Sequence, residues 1–230
     1  MTEESPGNLR QRQAAATRQQ LLDAACQVFE EKGYQATSVG AITDRAATAH
    51  GTFYLYFKNK EDAFCQVMAS VIIGDLANAI HATPGDGARE RIEQTIRSFL
   101  GAYSLHTGLW RAVLEGALQS PRVQEIWLEL RRQIIHRLAE ALEGECAEGH
   151  VRPIDPLMSA HALASMNEWF AFTHLVLGEP PGADIDTNND HAVGVLVDLW
   201  YHALYGAVPA ELAPVPPSEP TAPGASTAAN

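Results

Sequence analysis

The sequence has little cysteine, no long apolar run and no signal-peptide pattern, and each absence narrows the class of protein. Its three cysteines, Cys26, Cys65 and Cys146, lie far apart without a CxxC spacing, which argues against a disulfide framework and a zinc site. No stretch approaches the roughly 18 apolar residues of a membrane helix, and the first residues lack the apolar core of a signal peptide. We expect a cytoplasmic protein with no membrane partner, and cysteines that are small buried hydrophobic residues.

Strand alternation, internal repeats and catalytic motifs are lacking as well. The chain has no His-x-x-x-His, His-Glu-x-x-His or Gly-x-Ser-x-Gly sequence and no phosphate loop, and its histidines are scattered. A metal site formed by His161 and His202 is the weak alternative. We predict no catalytic residue, no metal-binding residue and no cofactor.

The charge of the chain is divided unevenly. Residues 9–60 carry seven basic and four acidic side chains, a net charge of +3, although the whole chain has a net charge of −12. The remaining residues carry nine basic and 24 acidic side chains, or −15. A basic segment joined to an acidic body is expected where one end of a protein meets an anionic polymer. The basic residues of this segment are Arg10, Arg12, Arg18, Lys32, Arg45, Lys58 and Lys60.

Apolar residues recur with helical spacing through most of the chain and predict an all-α protein of about nine helices. Residues 1–8 are predicted to be a disordered lead-in. Residues 207–230 contain six prolines and few core-forming residues, so they are predicted to be a disordered tail. The predicted helices cover residues 13–32, 39–46, 50–56, 59–81, 89–106, 108–119, 122–148, 156–177 and 189–205.

Residues 38–56 have the pattern of a helix-turn-helix unit, which needs two short helices locked together by apolar side chains. Small residues at 47–49 suit the turn, and short polar residues follow at the start of the second helix. Ile42, Ala46 and Phe53 are the candidate locking residues. The segments GYQATSV (33–39) and GTFYLYFKNKE (51–61) resemble the DNA-binding domain of the TetR family of transcriptional regulators.

The resemblance covers about residues 14–65. It implies a DNA-binding domain of three helices over residues 9–60 and a larger helical ligand-binding and dimerisation domain over residues 61–206. Two departures from the family pattern concern the turn. Ala47 replaces the usual glycine, so a residue with a Cβ is expected to enter a left-handed conformation at a cost of about 1 kcal/mol. Ala49 replaces the usual serine cap of the second helix, and Thr48 could cap a shifted start instead.

The candidate DNA-binding residues divide by the kind of contact that they can make. Ser38, Tyr54, Tyr56 and Lys60 can reach phosphates, as can free N–H groups at the start of the fourth helix. The predicted base-reading residues are at the start of the second helix of the helix-turn-helix unit, which is the third helix of the chain. His50, Gly51 and Thr52 lie there, where base edges in the major groove are read. Whether the N-terminal arginines also contact DNA is left open, and for Tyr54 packing against the first helix is the alternative.

The acidic body resembles the ethionamide-resistance repressor branch of the family in the segments LASMNE (163–168), LWYHALYG (199–206) and, more weakly, SPRVQEIW (120–127). The resemblance implies a small lipophilic effector in a long apolar channel within each subunit. The candidate ligand-binding residues are Trp110, Leu114, Trp127, Leu163, Met166, Asn167, Phe170 and Trp200. Asn167 is the polar member of an apolar stripe, and its amide bonds either a ligand or a backbone carbonyl.

The last two helices are apolar on more than one face, which predicts a homodimer formed through them. Val197 is expected in the middle of this interface, unless it faces its own core. A dimer would suit a palindromic double-stranded DNA operator. The leading interpretation is thus a dimeric repressor that a ligand releases from its operator. The alternatives are an activator or ligand-independent DNA binder of the same fold, a helical enzyme, and a protein-interaction module.

Overall fold

The computed structural model of the protein describes residues 6–77, 87–178 and 190–206, and within these ranges it contains helices and no strands. The all-α prediction is therefore confirmed. No helix in these ranges combines the length and apolar character that crossing a bilayer requires. The nine α-helices of these described ranges are α1 (Pro6–Ala36), α2 (Val39–Arg45), α3 (His50–Phe53), α4 (Lys60–Ala77), α5 (Ala88–Leu105), α6 (Thr107–Gln119), α7 (Pro121–Ala147), α8 (Pro156–Ala171) and α9 (Asp190–Tyr205).

The first helix begins earlier than predicted. Residues 6–8, assigned above to a disordered lead-in, are the first residues of α1, because a proline is tolerated in a first helical turn and helix-forming residues follow. Gly33 ends the regular part of this helix as predicted, with a left-handed φ of 76°. A Cβ at Gly33 would lie 2.6 Å from a carboxylate oxygen of Glu115 on α6, so glycine also permits this close approach.

Two other helices end differently from the prediction. The helix predicted over residues 50–56 ends at Phe53, and the amide groups of Leu55 and Tyr56 bond carbonyls three residues earlier, as in a tight turn. The helix predicted over residues 156–177 is α-helical to Ala171 and continues as one π-helical turn over Phe172–Val176. The end of the fourth predicted helix and residues 207–230 lie outside the described residues.

Helix starts follow the capping residues in the sequence. The Ser120 hydroxyl accepts a hydrogen bond from the amide of Val123 (3.1 Å), and Asp155 accepts one from the amide of Met158 (3.0 Å). Each of these caps precedes a proline in the first turn of its helix, where the absent proline N–H costs nothing.

The N-terminal helices and the body share one continuous core. Helix α1 packs most extensively against α6 and also contacts α4 and α2. At this junction Phe64 of α4 forms a cluster of three rings with Phe29 and Tyr34, whose centroids lie 4.5 Å and 4.9 Å from its own. In the body, α7 packs on α8 and α6, and α5 packs on α9. Helix α1 therefore contacts both α2 of the helix-turn-helix unit and α6 of the body.

Candidate DNA interface and ligand cavity

Helices α2 and α3 form the predicted helix-turn-helix unit. The side chains of Ile42 and Phe53 are fully buried and Ala46 is nearly so, as their locking role requires. Ala47 has a positive φ of 50°, which agrees with the expectation from the missing turn glycine. Its amide bonds the carbonyl of Asp44 (3.1 Å), and the next amide bonds the carbonyl of Thr43 (3.0 Å). This pair of bonds is a Schellman motif that ends α2.

The exposed first turn of α3 presents the residues predicted to read bases. His50 and Gly51 are exposed and Thr52 is half-buried. Ala49 is the N-cap and makes no side-chain hydrogen bond. A cap by Thr48 with a shifted start is not what the structure has, since the Thr48 hydroxyl is buried without a hydrogen-bond partner among the described residues.

The residues predicted to contact phosphates surround this turn. Ser38 is exposed and caps α2, accepting a hydrogen bond from the amide of Ala41 at 3.2 Å. Tyr54 is 53% exposed, so the alternative of core packing against α1 does not describe it. Its ring lies 5.5 Å from that of His50. Tyr56 is half-buried against the core.

Lys60 is engaged within the protein. Its ammonium donates to the carbonyl oxygens of Tyr34 (2.9 Å) and Gln35 (3.3 Å) and lies 4.7 Å from the centre of the Tyr34 ring. Burial lowers the pKa of Lys60. The lysine thus satisfies carbonyl groups at the end of α1. An ammonium has three N–H donors, so a phosphate contact, which stays a prediction, would use the third.

The start of α4 is capped by its own residues. Asn59 accepts a hydrogen bond from the amide of Asp62 (2.8 Å), and the carboxylate of Asp62 accepts one from the amide of Lys58 (2.9 Å). The predicted phosphate site at this helix start therefore has fewer N–H groups to offer. The positive charge of the segment is also reduced locally, because Glu31 pairs with Arg45 through both carboxylate oxygens at 2.8 Å and 2.5 Å. That hydrogen bond lowers the pKa of Glu31.

The body contains an apolar cavity of about 330 Å³ between α5, α6, α7 and α8. Three of the eight predicted ligand-binding residues, Trp110, Leu114 and Trp127, line it. The ring of Trp110 stacks on Tyr103 with centroids 4.1 Å apart and meets Trp127 edge-on at 5.7 Å. The other lining residues are Tyr103, Val113, Ala117, Ser165, Glu168, Trp169 and Phe172.

A second, narrower space of about 40 Å³ shares Tyr103, Trp110, Trp127 and Glu168 with the first, so the two adjoin. Asn167 and Trp200 line this narrower space. The three other predicted residues, Leu163, Met166 and Phe170, line neither space. They share the helical stripe of Asn167, but Leu163 is buried in the core and Phe170 stacks on His174 at 4.2 Å.

Asn167 is 3% exposed, and its amide oxygen accepts a hydrogen bond from the indole N–H of Trp200 at 3.2 Å. This partner differs from the backbone carbonyl considered above. Trp110 is also buried, yet its indole N–H has no hydrogen-bond partner among the described residues. The indole N–H of Trp200 is thus satisfied within the protein, whereas that of Trp110 is buried without a partner among the described residues.

Glu168 is a functional candidate that the sequence analysis missed. Glu168 lines both spaces, and its carboxylate accepts a hydrogen bond from the guanidinium of Arg131 at 2.8 Å. Burial nevertheless raises the pKa of Glu168, because desolvation of the carboxylate outweighs the attraction of the arginine. A glutamate directly after Asn167 in the resembling segment was the available signal, but only the fold shows that it faces the cavity.

Helix α9 exposes a different face to solvent from the one that was predicted to form the dimer interface. Val197 is 2% exposed and belongs to the core of its own chain, so its predicted place in the middle of a dimer interface is wrong. The exposed apolar residues of α9 are Val195 and Leu199. On α8, Met158 and Trp169 are exposed and lie eleven residues apart, on one face of the helix.

Comparison with known families agrees with this architecture. The family model described as bacterial regulatory proteins of the tetR family matches residues 21–65, and the model of the C-terminal domain of the transcriptional regulator EthR matches residues 92–206, half of the chain. The chain belongs to the TetR family of transcriptional regulators. The first match includes α2, α3 and the start of α4, and the second includes the helices that surround the cavity.

Relatives of this TetR-family regulator include transcriptional regulators of Bacillus subtilis. YhgD of Bacillus subtilis strain 168, an uncharacterised regulator, is 25% identical over 148 residues, which cover 64% of this chain and 78% of that protein. The fatty acid metabolism regulator protein of the same organism is 54% identical over 43 residues, only 22% of its length and 19% of this chain. A solved structure of a TetR-like regulator from Rhodococcus sp. RHA1 is 28% identical, covers 82% of this chain and 96% of that chain, and has a TM-score of 0.60.

Proposed function

We propose that this TetR-family regulator is a cytoplasmic, dimeric repressor that binds a palindromic DNA operator and leaves it when a small lipophilic ligand enters the body. The observation that carries the proposal is the exposed first turn of α3. There His50, Gly51 and Thr52 are held out from the core by the fully buried Phe53. A recognition helix contacts base edges with the residues of its N-terminal turn.

The surroundings of this turn favour duplex DNA as the partner. Exposed hydroxyl groups of Ser38 and Tyr54 flank the turn, and such groups donate to phosphate oxygens. Arg10 and Arg12 are exposed on the N-terminal part of α1. The net charge of −15 on the rest of the chain repels a phosphate backbone, so DNA is expected to meet the protein at residues 9–60.

The cavity supports a small lipophilic effector. Its volume of about 330 Å³ lies at the lower end of the range for small-molecule sites, and a mainly aromatic lining with few polar groups is typical of such sites. The indole N–H of Trp110 is buried without a partner among the described residues, and we propose that it donates a hydrogen bond to a carbonyl, ester or ether oxygen of the ligand. Because α6 carries Trp110 and packs against α1, a ligand here can act on the helix that supports the DNA-binding unit.

Exposed apolar side chains on the last two helices support the dimer. Met158 and Trp169 on α8 and Val195 and Leu199 on α9 are between 45% and 66% exposed. Large apolar side chains at four such positions are more than an isolated surface helix requires. A second copy of the chain, related by a two-fold axis, would cover them and place two α3 helices for a palindromic site.

The decisive experiment measures binding to an operator selected from a random duplex library, against unselected duplex, over a range of salt concentrations. Thr52→Ala is expected to lower affinity for the selected operator by about 5- to 150-fold per half-site, and affinity for unselected DNA much less. Thr52→Ser keeps the hydroxyl and should keep most of the operator affinity. If wild type shows no salt-dependent DNA binding, the proposed function is wrong; equal losses on both DNAs would assign Thr52 to the backbone contacts.

A further inference from the structure

Three potential metal ligands meet where the DNA-binding part joins the body. Cys26 and Glu30 are four residues apart and therefore lie on one face of α1, and His106 is the residue between α5 and α6. The thiol sulfur, a carboxylate oxygen and an imidazole nitrogen all lie within 4.8 Å of one another. All three residues are half-buried, and the His106 Nδ1 atom is 2.5 Å from a carboxylate oxygen of Glu30.

We propose that Cys26, Glu30 and His106 form a binding site for a zinc-class divalent transition metal. Thiolate, imidazole and carboxylate are the ligands that zinc prefers, whereas calcium and magnesium prefer oxygen ligands alone. Three protein ligands leave a fourth tetrahedral position for water. With metal–ligand distances of about 2.0–2.3 Å, ligand atoms in a tetrahedral site lie roughly 3.3–3.8 Å apart. The metal therefore replaces the direct contact between His106 and Glu30. It increases the distance between the His106 Nδ1 atom and the Glu30 carboxylate oxygen by about 1 Å.

The backbone fixes the three ligands on two packed elements, α1 and the junction before α6. His106 has a non-helical conformation (φ −130°, ψ 39°) as the residue before α6, which places its ring toward α1. Two residues later, Gly108 lies so close to α1 that a Cβ there would clash with the carbonyl oxygen of Glu30. Rigid support from two helices is what a metal site needs, because the cost of ordering its ligands is then already met by the fold.

The proposed metal site lies between the helix that supports the DNA-binding unit and the helix that begins the body wall of the cavity. Cys26 and Glu30 belong to the helix that supports the DNA-binding unit, and His106 precedes the helix that carries Trp110 of the cavity. A bound metal joins α1 to α6 and stabilises the packing between them. Anything that binds only the folded state raises the melting temperature, so the effect is measurable without DNA or effector and is independent of the proposed repressor function.

The test is a cobalt(II) titration of tag-free, reduced protein that has been freed of metal with a chelator. We expect one cobalt ion per chain, with a thiolate-to-cobalt charge-transfer absorption and the intense visible bands of tetrahedral coordination, both abolished by equimolar zinc. Cys26→Ser should eliminate the charge-transfer band. Cys146→Ser, a matched change at another half-buried cysteine, should leave it intact. Glu30→Gln should weaken binding about 10-fold or more, and it keeps a hydrogen-bonding partner for His106.

Thermal melts with zinc are the second measurement and also show whether each variant folds. Zinc should raise the melting temperature of wild type and of Cys146→Ser but not that of Cys26→Ser. Absence of a charge-transfer band in wild type, or a band that survives Cys26→Ser, would overturn the site. A band lost through Cys146→Ser would do the same, because it would place the thiolate ligand elsewhere.

Discussion

Ala47 holds the turn between the two DNA-binding helices in a conformation that costs energy. Its φ of 50° is left-handed, and a Cβ in that region is disfavoured relative to glycine by about 1 kcal/mol. The two hydrogen bonds of the Schellman motif and the burial of Ala46 offset this cost. The turn is therefore set by its surroundings and not by the local preference of the alanine.

Ala47→Gly should consequently stabilise the protein, because glycine relieves the strain of the left-handed conformation. The gain is about 1 kcal/mol at most, because the additional entropy of the unfolded chain opposes it. The measurement is the midpoint of chemical denaturation. Ala49→Gly is the matched control, since Ala49 has an ordinary φ of −69° and glycine there relieves nothing; its midpoint should be unchanged or lower. Equal shifts for the two variants would show that the left-handed turn carries no strain.

The sequence predicted residue roles that depend on near neighbours and missed those that depend on distant ones. The positive φ of Ala47 and the cap by Ser38 could be predicted, because turn and cap patterns span only a few residues. The carbonyl partners of Lys60 come from 25 and 26 residues away and the indole partner of Asn167 from 33. Such pairs form only when helices pack, and no local pattern encodes them.

At the scale of the element, α9 has two apolar faces, of which one is buried in its own chain and the other is exposed. Val193, Leu196 and Val197 are buried in the chain's own core, whereas Val195 and Leu199 are exposed. Sequence periodicity alone could not assign the two faces, because apolar residues occur on both. The prediction for Val197 was wrong for this reason, although the surplus of apolar surface on the helix was recognised.

Leu199→Glu and Val197→Glu should therefore have different effects. Leu199 is 52% exposed, so a glutamate there stays hydrated in the monomer but must be desolvated in the proposed dimer, at a cost of several kcal/mol without a partner. We expect a folded monomer by light scattering and circular dichroism. Val197→Glu buries the charge within its own subunit and should lower the melting temperature severely. A folded dimer from Leu199→Glu would locate the interface on another surface.

At the scale of the whole molecule, the interface between α1 and α6 joins two parts of opposite charge. Helix order could be predicted from periodicity and helix breakers, whereas the division into two domains at about residue 60 stays a prediction. The cavity could be predicted only in part, because its walls come from α5 to α8 and the π-helical turn. Trp110 and Trp127 were identified through their aromatic character, whereas Glu168 and Phe172 line the cavity through helix orientations that periodicity does not fix.

Trp110 and Trp200, which line the two adjoining spaces, provide a test of ligand binding in which each serves as the control for the other. Trp110→Phe removes a buried N–H donor that has no partner among the described residues, whereas Trp200→Phe removes the donor that satisfies Asn167. Both variants lose a similar volume. Trp200→Phe should therefore be the less stable by about 1–3 kcal/mol, because it leaves the buried amide oxygen unpaired.

The order should reverse when release from the selected operator is titrated with the lipophilic compound that releases the wild type. If Trp110 donates to an oxygen of that ligand, Trp110→Phe loses a hydrogen bond of about 0.5–1.5 kcal/mol and needs roughly 2- to 12-fold more ligand for release. Trp200→Phe, whose N–H is already used within the protein, should respond nearly as the wild type does once its lower stability is taken into account. An unshifted response of Trp110→Phe would mean that the indole N–H of Trp110 does not bond the ligand, since Trp200→Phe loses a similar volume and controls for that part of the change.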